Sequence, residues 1–112
     1  EGLSDELLEK VLYNLADALL QEYKGNFSDH YRELTGAFER AINHNPESPK
    51  VPWGLLNLSL INLRVGNIPE ARAYFNILKE KYPNDPNIPL RLLIILERDG
   101  PVIMWTHPGY SV

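Results

Sequence analysis

The sequence predicts an all-α fold assembled from helix–turn–helix units, and three observations carry that prediction. Apolar residues recur three and four positions apart over several long stretches, which is the spacing of one helix face. Between the stretches stand residues that end helices: Gly25-Asn26, Gly66-Asn67 and Pro83. The spacing itself recurs. Pro52 and Pro86 lie thirty-four positions apart, as do Leu58 and Leu92, and Gly66 and Gly100, while Phe38 and Phe75, like Pro46 and Pro83, lie thirty-seven apart.

The first predicted helix runs from Ser4 to Tyr23. Ser4 is placed as an N-cap, with Asp5 and Glu6 in the first turn, where carboxylates offset the positive end of the helix dipole. Leu8, Val11, Leu12, Leu15 and Leu19, with the small Ala16, form its apolar stripe. A second helix begins at Ser28 or Asp29 and continues to about Asn43, carrying Leu34, Phe38 and Ala41 inward. Loop chemistry is densest from Pro46 to Pro52. The next helix places Leu55, Leu58 and Ser59 on one stripe and ends at Gly66, because glycine enters the left-handed region at low cost. Asn67 then caps the following helix, Pro69 suits its first turn, and Glu70 completes a capping-box signal. Ala71 permits a close crossing, Phe75 and Leu78 supply bulk, and Pro83 stops the helix. Asn87 to Arg98 reads as one further helix, apolar nearly all round, and Pro101 to Val112 as an irregular tail.

The stretch from Pro52 to Pro83 resembles one complete tetratricopeptide repeat, in which a large apolar residue, a small residue, Ala-x3-Phe and Pro follow at set spacings. Leu55, Leu58, Ser59, Asn62, Ala71, Phe75 and Pro83 stand at those places. Ser59 replaces the family glycine, Asn62 an aromatic, and Leu78 and Leu34 alanines, which implies altered packing. Leu12-x2-Leu15-Ala16-x2-Leu19 is similar to a first repeat helix. The resemblance implies a right-handed α-α superhelix of about two and a half repeats within one domain, 1–112. Residues 1–47 form a divergent repeat, 52–85 a second, 86–100 a half repeat and 101–112 the tail. Trp105, at the place of Ala71 in the third unit, is too large for a close helix crossing.

In this family the first helix of each repeat lines a groove that holds peptides or helices. The resemblance places Lys10, Tyr13 and Asp17 there from the first unit, Trp53, Leu56, Asn57, Leu60 and Arg64 from the second, and Asn87, Leu90, Arg91, Ile94 and Arg98 from the third. Trp53 and Arg64 are the leading anchors, since aromatics and arginine dominate interface energies. One subfamily clamps a C-terminal carboxylate, and Asn57 and Arg91 match two of its positions. Tyr13, Asp17 and Asn87 replace the others, and an aspartate repels an incoming carboxylate. Trp53 has a second reading, as a side chain packed against the Pro-rich linker and tail.

These features predict a non-catalytic module that binds a protein or peptide within a larger assembly. The alternative is a structural subunit or homo-oligomer that uses the apolar third unit and a tail interface at Met104 and Trp105. The formal charge of −4 argues against a general nucleic-acid or anionic-membrane binder. No cysteine is present to form a disulfide or thiolate site, and His30, His44 and His107 lack metal-ligand spacing. No phosphate loop or nucleophile elbow occurs, so neither enzyme activity nor a cofactor is expected. No apolar run is long enough for a membrane span. The expectation is a soluble domain whose compartment is not indicated, either cytoplasmic or held at a membrane through a partner or an anchor upstream of Glu1.

Overall fold

The computed structural model describes residues 4–85, and within them the chain forms four α-helices and one 3-10 turn. Helix α1 spans Asp5–Glu22, the 3-10 turn Ser28–His30, α2 Tyr31–His44, α3 Val51–Arg64 and α4 Ile68–Lys81. The third unit and the tail, 86–112, lie outside the described residues.

Local chemistry sets the helix ends. Ser4 caps α1, its Oγ accepting the amide of Leu7 at 3.1 Å. Gly25 and Gly66 take φ of +89° and +85°, the left-handed conformation that lets each hairpin turn. Helix α4 stops at Lys81, two residues before Pro83. The expected capping box at α4 does not form. Asn67 holds the N-cap position, but its side chain makes no capping bond. Its Nδ2 donates instead to Asn62 Oδ1 at 3.1 Å and to the Tyr31 hydroxyl at 3.2 Å. The buried acceptor on α3 outcompetes the exposed amides of the first turn, because a polar atom away from water costs more when unpaired.

Consecutive helices pack on one another: α1 on α2, α2 on α3, α3 on α4. The first pair is antiparallel. Tyr23 donates to Glu33 Oε1 at 2.9 Å at one end, and His44 Nε2 lies 3.3 Å from the Asp5 carbonyl at the other. Helix α3 is central and nearly submerged, with Val51, Pro52, Gly54, Leu55, Leu58, Ser59, Ile61, Asn62 and Leu63 all buried. Phe38, Leu34, Leu58, Ile61 and Leu78 are fully enclosed. Burial of each such side chain contributes about 1.5–3 kcal/mol. Small residues stand where backbones approach. Ala16, Ala41, Ser59 and Ala71 are fully buried, and Ser59 Oγ is satisfied by the Leu55 carbonyl at 2.9 Å.

Asn62, where the resemblance leads one to expect an aromatic, is 1 % exposed and hydrogen-bonded through both its amide oxygen and its amide nitrogen. Its Nδ2 donates to the Leu58 carbonyl at 2.7 Å, and its Oδ1 accepts from Tyr31 and Asn67. Tyr31, from the start of α2, thus supplies a ring near α3 that the α3 sequence lacks.

The α1 stripe divides. Leu8, Leu12 and Leu19 are half-buried, but Val11 and Leu15 are exposed, together with Leu7. The inward face is rotated toward Tyr13, Ala16 and Leu20, because α1 must contact both α2 and α3.

Candidate functional site

Helices α1 and α3 meet directly although α2 separates them in sequence. The rings of Tyr13 and Trp53 stand 6.0 Å apart, inclined at 58°, and Trp53 also meets Phe38 at 5.6 Å. Gly54 makes this approach possible. A Cβ there would lie 3.3 Å from Tyr13 Cε1 and 3.0 Å from Ile42 Cγ1.

Beside this contact the two helices leave a trough. One depression, of about 300 Å³, is lined by Tyr13, Asn14, Asp17, Lys50 and Trp53. A second, of about 260 Å³, is lined by Leu20, Gln21, Lys24, Phe27, Asn57, Leu60, Ile61 and Arg64. Tyr13 faces Trp53 in the first, and Lys24 and Arg64 share the second. Lys24, just beyond α1, follows Tyr13 by eleven residues and Arg64 follows Trp53 by eleven, so α1 and α3 run in the same direction and the two depressions succeed one another along them.

Of the residues expected in the groove, Tyr13, Asp17, Trp53, Asn57, Leu60 and Arg64 line these two depressions. Lys10 is exposed on α1 and Leu56 packs against the α3–α4 core, and neither lines the trough. Asn87, Leu90, Arg91, Ile94, Arg98, Met104 and Trp105 fall outside the described residues. Leu20, Gln21 and Lys24 were not anticipated, nor were Phe27, Asn14, Lys50 and Ile61. The first three continue the Tyr13–Asp17 stripe by one and two turns, a periodicity available in the sequence but beyond the positions that the family resemblance supplies.

Three of the expected groove residues are also engaged within the fold. Tyr13 is 4 % exposed, so its ring is floor rather than rim. Its hydroxyl finds no hydrogen-bond partner among the described residues. Burial, aided by Glu9 and Tyr82, pushes its pKa up to about 12. Trp53 packs on Tyr13 and Phe38, leaving it half-buried. Asn57 Nδ2 donates to the Trp53 carbonyl at 2.9 Å, which ties its amide to its own helix.

Asp17, Lys24, Lys50 and Arg64 make no ion pair among the described residues. The titratable cluster elsewhere on the surface is small. Tyr23 and His30 rings stack at 3.7 Å, and Glu33 accepts from the Tyr23 hydroxyl, raising its pKa. Among the described residues no three histidine, aspartate or glutamate side chains gather as a metal site, and no helix is long and apolar enough to cross a membrane. No family model, curated protein or solved structure matches the chain.

Proposed function

We propose that this chain is a non-catalytic protein-interaction module, a TPR-like adaptor or scaffold, that holds a peptide or protein segment in the trough between α1 and α3. The observation that carries the reading is that six residues expected in the groove line two depressions along the same pair of helices, α1 and α3. Alternating antiparallel helices support the TPR-like arrangement, as does the α1–α3 contact that skips α2. The trough has apolar walls from Leu20, Phe27, Leu60 and Ile61 and polar edges, the composition of a peptide-binding surface.

Panning a random dodecamer display library against the chain tests this. Leu60→Ser removes a wall, and Gln21→Trp, at an exposed position, fills the second depression. Peptides selected by the wild type bind both variants at least about tenfold more weakly, with helical circular dichroism retained. Equal binding by both variants would sink the groove reading.

A structural-subunit reading is favoured by a different observation. Leu7, Val11 and Leu15 lie one turn apart on α1 and are 45–46 % exposed, an uncovered apolar line on the first helix. It predicts self-association that Val11→Glu abolishes, read by light scattering at high micromolar concentration. A strictly monomeric wild type would remove it.

A further inference from the structure

The charge of the trough runs against that of the chain. The whole sequence carries fifteen acidic and eleven basic side chains, a formal charge of −4. The trough is lined by three cations, Lys24, Lys50 and Arg64, and one carboxylate, Asp17. Asp17 and Lys50 share the first depression and leave that end close to neutral. Lys24 and Arg64 share the second without any lining acid, and neither has an ion-pair partner among the described residues. Glu22, in the last turn of α1, does not line it.

The helix dipoles do not cancel this excess. Both α1 and α3 end at the Lys24–Arg64 end, and each C-terminus contributes about half a negative charge. Two full positive charges outweigh that. Leu20, Phe27, Leu60 and Ile61 lie beside the two cations, so an arriving chain meets apolar wall and positive charge within the same depression. From Asp17 to Glu22, where α1 ends, is five residues, about 7.5 Å of helix at the usual rise, and Lys24 lies in the turn just beyond.

We infer that the trough selects an acidic, apolar peptide segment, with apolar side chains on Leu20, Phe27, Leu60 and Ile61 and a carboxylate between Lys24 and Arg64. This rests on the groove reading above and adds to it the sign of the partner. A polyanion such as nucleic acid is not favoured. Three cations within an acidic chain give a local attraction for one or two carboxylates but a repulsive field at distance.

The same dodecamer library provides the test, read now for charge. Pools selected by the wild type become enriched in Asp and Glu next to Leu, Ile or Phe. The double variant Lys24→Glu/Arg64→Glu changes only exposed positions, with its fold checked by helical circular dichroism, and its selected pools become enriched in Lys and Arg instead. A fluorescein-labelled acidic winner loses at least about tenfold in affinity for the double variant and weakens as sodium chloride is raised.

Wild-type pools that bind, lose binding in Leu60→Ser, and yet show no acidic enrichment would overturn the charge assignment and leave the groove reading standing. No enrichment of any peptide would overturn both. Binding of a labelled DNA oligonucleotide or of phosphatidylglycerol vesicles as tight as that of the acidic winner would replace the proposal with a general polyanion site.

Discussion

The hydroxyl of Tyr31 donates to Oδ1 of Asn62, joining the first residue of α2 to the buried face of α3 across thirty-one positions of sequence. Asn67 donates to the same two groups from the α3–α4 turn. Three elements are therefore registered by one shared acceptor. A buried network of this kind is stabilising only when complete.

Removing its centre is expected to cost more than trimming its edge. Tyr31→Phe leaves Asn62 Oδ1 with the Asn67 donor and costs about 1 kcal/mol. Asn62→Ala leaves a cavity, removes the acceptor of the Tyr31 hydroxyl and one of the two acceptors of Asn67, and loses the bond to Leu58, at about 2–4 kcal/mol. Urea unfolding of both variants gives the comparison, and equal losses would show that the network is not shared.

Tyr13→Phe is expected to stabilise the fold by about 1 kcal/mol, since it deletes a buried hydroxyl without a partner among the described residues and keeps the ring. It also changes the alkaline limb. The Tyr13 pKa is raised from 10.0 to about 12 in the folded chain. A raised value means that the folded state holds its proton when the unfolded state has lost it, so stability is full below pH 10 and falls as pH rises toward 12. The loss over that window is shallower in Tyr13→Phe, though not absent, because burial and Glu39 also push Tyr74 up to about 12. Thermal melts at pH 9 and pH 11 separate the two proteins.

The same substitution at two glycines is expected to have opposite signs. Gly36→Ala meets only Arg40 Nη1 at 3.7 Å, so it gains helix propensity of about 0.5–1 kcal/mol. Gly54→Ala would press on Ile42 Cγ1, Ile42 Cδ1 and Tyr13 Cε1 at 3.0, 3.1 and 3.3 Å. Contacts from two sides outweigh the propensity gain, and a net loss of about 1 kcal/mol is expected. Because that contact brings α1 and α3 together, Gly54→Ala is also expected to weaken the peptide binding proposed for the trough. A Gly54→Ala protein as stable as Gly36→Ala would show that the joint is loose.

Helix positions were legible because their signals are local. Ser4, Gly25, Gly66 and Pro83 act within a few residues of the ends they define, and each end falls where its residue places it. Asn67 shows the limit. Its sequence neighbourhood reads as a cap, yet the groups that take its side chain lie on two other helices, one of them thirty-six positions away. Val11 and Leu15 fail for a related reason: period alone marks an apolar stripe but not the angle at which two neighbours will meet it. The trough was half legible. Trp53, Leu60 and Arg64 followed from the resemblance to a repeat, whereas Lys24 and Phe27 belong to the turn beyond α1, outside the positions that the resemblance supplies.

The pairing of each helix with its successor governs how the chain reaches this structure. Most partners are close in sequence, so little loop-closure entropy is spent before contacts form, and such topologies fold within microseconds to milliseconds. Each helix pair can form locally and then template the next. Tyr13 against Trp53 and Gly54 is an exception, a pairing that spans about forty residues of chain and closes only after α2 is in place. It is expected to form after the rate-limiting step, so substitutions there accelerate unfolding and leave the folding rate nearly unchanged.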